Sequence, residues 1–373
     1  MAEHDQSLGS GIADGTTWVE FCDLLKQAGD QVLRPATPND ALTRAEGFRY
    51  LSRLLRSGLE RHVEFNNPDF PVLLLPAHET VKMGADNPDN LYQYAVINGN
   101  KAYRMSGQRG TVHYISWTTS KGSYTSDGTM TETGFLDSNS IHCEPDGRFD
   151  IIVSVEKQSG NWLPIEPESG ALLIRQTFLD RCQEVPAEIT IAPLDRNATP
   201  NPLKPADVEQ GLIAAAHFVT QSASLFTDWT ESFLPKVNEL PPADQDYCRS
   251  IGGDPNIFYY HSYWELEDDE ALVIELEKVP DCETWNCQVD NYWMESLDYR
   301  YHRIHFNKHT AKYNEDGSVT MVLAHEDPGV ENWLETAGHR LGTLCFRWVK
   351  AREIVHPSTR VVPQSDVKKY LAS

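Results

Sequence analysis

The chain has 373 residues, enough for two or three domains or for one built by duplication, and its 40% hydrophobic content with 9 Trp, 15 Tyr and 13 Phe belongs to a folded globular protein rather than a disordered one. A formal net charge of −23 repels phosphate backbones and anionic bilayers, which argues against nucleic acid and membrane partners. The longest apolar run, Pro71–Ala77, is far short of the roughly 20 residues of a membrane span, and residues 1–15 lack the basic and apolar stretches of a signal peptide, so a cytoplasmic location is expected.

Residues 1–40 read as an N-terminal helical segment carrying Trp18–Leu25. Gly9–Gly15 resembles a phosphate-binding glycine loop only superficially, because no strand precedes it, and reads as a flexible terminus. Residues 41–190 form a first unit. It opens with an amphipathic helix over Ala45–Leu59, whose apolar residues recur at three and four, and continues as short strands. Phe149, Ile151, Val153 and Val155 alternate with Asp150, Ile152, Ser154 and Glu156, the pattern of a half-buried antiparallel strand. Residues 191–205, with four prolines, read as a linker, and residues 206–365 as a second unit led by a helix over Asp207–Val219.

The two units are copies. Asp146-Gly147, Asn161-Trp162-Leu163 and Gly170 to Arg175 reappear as Asp316-Gly317, Asn332-Trp333-Leu334 and Gly342 to Arg347; Gly147 and Gly317 lie 170 apart, the asparagines 171 and the arginines 172. Upstream, Asn90 aligns with Asn256 at an offset of 166. The expected fold is mostly β with helices (α+β): two tandem, related antiparallel β-sandwich or jelly-roll-like units, each preceded by helices. Asn161/Asn332, Trp162/Trp333 and Arg175/Arg347, being duplicated, read as structural: a turn-forming Asn, a core Trp and an Arg paired with a carboxylate.

In the second unit, Thr284-Trp285-Asn286-Cys287-Gln288, Trp293 to Arg300, His325 to Gly329 and Asn332 to His339 resemble, as an ordered series, the bacterial family known as domain of unknown function 1214. The resemblance covers about residues 254–350, with a diverged copy in the first half. It implies a β-rich soluble protein and brings no reaction, cofactor or active site.

Chemistry must therefore come from the residues. Seven irregularly spaced cysteines argue against a disulfide framework, and no motif offers three metal ligands, so neither metal nor cofactor is expected. Ser296–Asn307, if extended, places Tyr299, Tyr301, Arg303 and His305 on one face. His325 replaces Val155 of the first unit, an imidazole at a position taken as core, and His339 follows Gly338 in a loop. These point to His325, His339 and Tyr299 as acid-base groups, with Arg300, Asn286, Trp285 and Tyr260 holding substrate. The expected function is a cofactor-independent enzyme, a lyase or hydrolase working by acid-base catalysis on a small hydrophobic or aromatic compound. The alternative is a non-catalytic β-sandwich protein that binds carbohydrate or lipid. A homodimer is compatible with either.

Overall fold

The computed structural model describes residues 9–125, 128–195 and 199–371. Helices α1 (Ser10–Asp14), α2 (Thr16–Ala28) and α3 (Ala41–Leu59) precede eight strands. These are β1 (Asn90–Val96), β2 (Tyr103–Gln108), β3 (Tyr114–Lys121), β4 (Thr131–Asp137), β5 (Arg148–Ser154), β6 (Trp162–Pro164), β7 (Ala171–Thr177) and β8 (Glu188–Pro193). Helices α4 (Pro205–Phe233) and α5 (Gln245–Ser250) lead into β9 (Ile257–Glu265), β10 (Glu270–Leu276), β11 (Thr284–Asp290), β12 (His305–Asn307), β13 (Val319–Ala324), β14 (Trp333–Glu335), β15 (Leu341–Val349) and β16 (Ser358–Pro363).

The duplication holds strand for strand. The first unit packs the sheet β1-β7-β3-β4 on β6-β5-β2-β8, and the second packs β9-β15-β11-β12 on β14-β13-β10-β16, the same order shifted by eight strands. Pairing is antiparallel throughout except β5–β6 and β13–β14. Each sandwich encloses its own core, around Trp117, Phe149 and Ile151 in the first unit and around Trp285, Phe346 and Trp348 in the second.

Burial patterns tell the sheets apart. The strand β2 alternates, as expected where one face meets water, whereas β3 is buried at seven consecutive positions and β11 along its whole length. The sheets containing β3 and β11 are therefore covered on both faces: one by their own sandwich, the other by the opposite unit. The contact is reciprocal. Arg175 of β7 donates to the carbonyl of Gly252 at 2.5 Å, and Arg347 of β15 to the carbonyl of Ala85. Ser116 donates to Asp254 at 2.7 Å, and Asn286 to Asn87 at 3.0 Å. Residue i touching j while the copy of j touches the copy of i is the signature of twofold association, here within one chain.

Three expectations change. Gly9–Gly15 is not a loose end: Ser10–Asp14 is a helical turn, and the Gly9 amide donates to the Glu209 carboxylate, tying this segment to α4. Residues 1–8 and, within the linker, 196–198 lie outside the described residues. The linker's start is strand, since β8 runs to Pro193. Trp162 and Trp333 are only half-buried, each indole donating to a strand carbonyl, of Ser154 and Ala324, at 3.1 Å. No helix among the described residues is long and apolar enough to cross a membrane.

Candidate functional site

A cavity of about 160 Å³ lies between the two units. Its walls come from the loop before β1, from β1, β7 and β9, and from α4 and the end of α5. At its centre stand the twofold mates. Tyr92 sits opposite Arg175 in the β1–β7 ladder and Tyr259 opposite Arg347 in the β15–β9 ladder. The phenol oxygens accept from matching loop amides, Asn87 at 2.9 Å and Asp254 at 2.8 Å. Burial raises the pKa of both phenols, so they stay protonated.

The symmetry breaks one step along each strand. Tyr94 of β1 occupies the place that His261 takes on β9. Over Tyr94 lies Arg61, its guanidinium carbon 4.1 Å from the Tyr94 ring centroid and 4.8 Å from that of Phe218. A π-helical turn at Glu60–Glu64, directly after α3, aims this side chain inward; such turns are frequent at functional sites. Arg61 is 7% exposed, and its side chain makes no hydrogen bond to any described residue. Among the described residues no carboxylate forms an ion pair with Arg61, Arg175 or Arg347. That is unusual for charges buried in a chain of net charge −23.

On the other side, His261 lies in an aromatic cage: Trp229 at 4.4 Å between centroids, Phe233 stacked at 5.7 Å and Tyr259 stacked at 6.0 Å. Burial, with Arg347 adding, pushes its pKa down to about 3, so the imidazole is neutral. Cys248, also on the wall, has its thiol pushed up to about 12 by burial.

A second, ionic cavity of about 170 Å³ lies between α3 and the second unit. Here His339 donates to the Thr336 carbonyl at 2.9 Å and meets Glu46 at 3.0 Å, while Arg53 pairs with buried Glu295 at 2.6 Å. Lys82 uses its three hydrogens on the Ser296 carbonyl, the Ser296 hydroxyl and the Leu297 carbonyl, at 2.6, 2.7 and 2.9 Å. That is the full complement of an ammonium, leaving no lone pair to accept a proton from Ser296. Among the described residues no three His, Cys, Asp or Glu side chains are grouped to hold a metal ion.

The residues named from sequence do not converge on one cavity. His339 lines the ionic one, with Tyr299 outside it against Lys82, whose nitrogen is 4.5 Å from the ring centroid. His325 lines neither. Its ring meets the Thr336 hydroxyl at 3.0 Å and the Leu266 carbonyl at 3.3 Å. The premise for it also fails, because Val155 is 49% exposed and follows the end of β5: the position is a strand exit, not core. Tyr299–Arg303 do not extend as a strand; backbone bonds from Tyr301 and His302 to the Asp298 carbonyl close a turn, and only His305–Asn307 pair. Arg300 points outward to Asp298 at 2.7 Å. Trp285 is in the sandwich core, donating to Tyr313 at 3.2 Å, and Tyr260 is there too, against His356 at 2.9 Å. Asn286 alone of the binding candidates faces the other unit, donating to Asn87 at 3.0 Å and accepting from Arg347 of its own sheet at 3.3 Å. The duplicated arginines bond carbonyls of the opposite unit, not carboxylates.

Arg61, Tyr94, Trp229 and His261 went unnamed in the sequence. The available signal was the repeat itself, read one residue out of step: Tyr92 opposite Arg175 and Tyr259 opposite Arg347 are counterparts, an offset of 167 rather than 166. In a strand that slip exchanges the faces, which is why Tyr260 stood out in place of Tyr259 and His261.

A solved structure of an uncharacterised protein from Burkholderia cenocepacia is 55% identical, with a TM-score of 0.95 over 96% of this chain and 99% of that one. The VPA0106 protein from Vibrio parahaemolyticus is 10% identical, with a TM-score of 0.48 over 84% of this chain and 98% of that one. No curated protein matches. The family model described as protein of unknown function (DUF1214) matches twice, at residues 92–177 and 265–353, once in each sandwich. The chain belongs to the DUF1214 family and carries two copies of its domain.

Proposed function

We propose that the cavity between the units binds a small carboxylate with a compact apolar body. The observation that carries this reading is Arg61: buried, packed against the rings of Tyr94 and Phe218, and without an ion-pair partner among the described residues. A guanidinium fixed on aromatic faces presents its donors as a fork, the geometry that suits a carboxylate. Size supports the apolar body, since a cavity of about 160 Å³ compares with the roughly 150 Å³ that takes benzene in an engineered protein. The titrating groups on the wall favour binding over acid-base turnover, because burial keeps His261 and Cys248 neutral across the physiological range. Seven free cysteines suit a reducing compartment, in keeping with a cytoplasmic protein.

Titration calorimetry with benzoate and with its neutral isostere benzamide tests the reading. Benzoate binds and benzamide does not, and Arg61→Met, which keeps the packing on Phe218, weakens benzoate roughly tenfold to a hundredfold, the worth of a charge-assisted hydrogen bond. Equal binding of the two compounds, or undiminished binding by Arg61→Met, would sink it.

A further inference from the structure

Building on that reading, we infer that the ligand carries a hydroxyl at the end away from its carboxylate, and that His261 is the residue that selects for it: the ligand class is a hydroxylated aromatic acid.

The placement follows from the twofold relation. Tyr94 and His261 are equivalent positions on β1 and β9, so they stand on opposite sides of the cavity, one beneath Arg61 and the other beside Trp229. A ligand whose carboxylate meets Arg61 therefore directs its far end at the imidazole.

The second observation is independent of Arg61. His261 is 4% exposed, and its Nδ1 is buried with no hydrogen-bond partner, while Nε2 has only the Cys345 sulfur at 3.9 Å. Leaving a polar atom unpartnered at such depth is costly, and a ligand that supplied its partner would recover that cost. Its twofold mate, Tyr94, shows that an aromatic carbocycle fits this place in the fold, so packing alone does not call for an imidazole.

The chemistry narrows the missing partner. A neutral imidazole offers one N–H and one lone pair, and either can fall on Nδ1. A carbonyl complements only one of those tautomers and an ammonium only the other, whereas a hydroxyl, donor and acceptor at once, complements both. Trp229, Phe233 and Tyr259 surround the ring with aromatic faces, the surface that a flat ligand packs against.

The test compares 3- and 4-hydroxybenzoate with benzoate by calorimetry on the full chain, in wild type, His261→Phe and His261→Gln, with a melting curve for each variant. At least one hydroxybenzoate binds the wild type tenfold or more tighter than benzoate. His261→Phe removes that preference, and His261→Gln, which keeps a polar atom, retains part of it. If the wild type binds all three acids alike, or if His261→Phe keeps the preference, the inference is overturned while the carboxylate site stands. If none of the three binds, the carboxylate site itself fails, and this inference with it.

Discussion

Arg175 and Arg347 are sequence equivalents, yet they should differ in what they contribute to stability. Arg347 donates to the Gln288 side chain at 2.5 Å, to the Ala85 carbonyl and, more weakly, to Asn286 at 3.3 Å. Arg175 has one short bond, to the Gly252 carbonyl at 2.5 Å, and a marginal one to Thr118 at 3.5 Å. Hydrogen bonds from a charged donor are worth about 1.5–3 kcal/mol each. Two such bonds set an upper figure near 6 kcal/mol for Arg347, and removing a buried guanidinium also removes its desolvation cost. Arg347→Met should therefore cost about 3 kcal/mol, and Arg175→Met about half that. Equilibrium urea unfolding, followed by tryptophan fluorescence and checked for an unchanged slope, measures both. If Arg347→Met is as stable as wild type, or costs less than Arg175→Met, the reciprocal clamp does not hold the units together, and the duplicated arginines need another explanation.

Two pH dependences of the same sign should have separable origins. Burial pulls the His339 pKa down, but the hydrogen bond and charge of Glu46 outweigh it, so the folded value is raised. Its contribution is complete below the unfolded value of about 6.5 and is lost as pH rises through the folded pKa; Glu46→Gln should lower stability at pH 5.5 and leave pH 9 nearly unchanged, as chemical denaturation at the two pH values will show. Asp290, wholly buried on the face of β11 that meets the first unit and with its Oδ2 unpartnered, has its carboxyl raised to about 8 by burial, with nearby Asp86 adding. Its neutral form contributes stability that is complete below about 3.9 and lost as pH rises through about 8. Asp290→Asn should thus match wild type near pH 4 and exceed it by on the order of 1–3 kcal/mol at pH 9, and equal stability there would refute a neutral Asp290.

The fold was largely legible because duplication repeats its own evidence. The Asn-Trp-Leu and terminal Arg motifs, spaced 171 and 172 apart, mark strands β6, β7, β14 and β15, and the observed order of all sixteen strands follows the copy. What alternation could not reveal was which sheets meet. The strand β11 is buried at every position, since its outward face packs on the other unit, and a strand covered on both faces loses the period of two. The site was hidden for the same reason. Arg61 lies 33 residues before Tyr94 and Trp229 32 before His261, and each pair meets only through the docking of a helix end on a sheet, a contact no local pattern encodes. The prominent motif of the second unit, Ser296–Asn307, is rich in Tyr, Arg and His because it builds a polar turn, with Arg300 on Asp298 and His302 on Glu335.

A duplicated chain offers a control that a single domain lacks, because each position in one copy has a counterpart under nearly the same packing constraints. Positions that keep their residue make equivalent bonds in both copies, Tyr92/Tyr259 to a loop amide of their own unit and Arg175/Arg347 to a carbonyl of the opposite one: they are explained by folding and docking two units. Positions that differ on the cavity wall are not, and Tyr94/His261 is such a pair. Twofold contact alone would be satisfied by two tyrosines or two histidines. Having one of each gives the cavity a cationic end and a neutral, hydrogen-bonding end, which is what recognising an unsymmetrical molecule requires. Changing Tyr94 to His, or His261 to Tyr, would restore the symmetry of the wall while leaving the clamps intact. On this reasoning the residues that fold the protein and those that choose its ligand are adjacent on the same strands, separated by a single turn of the pleat.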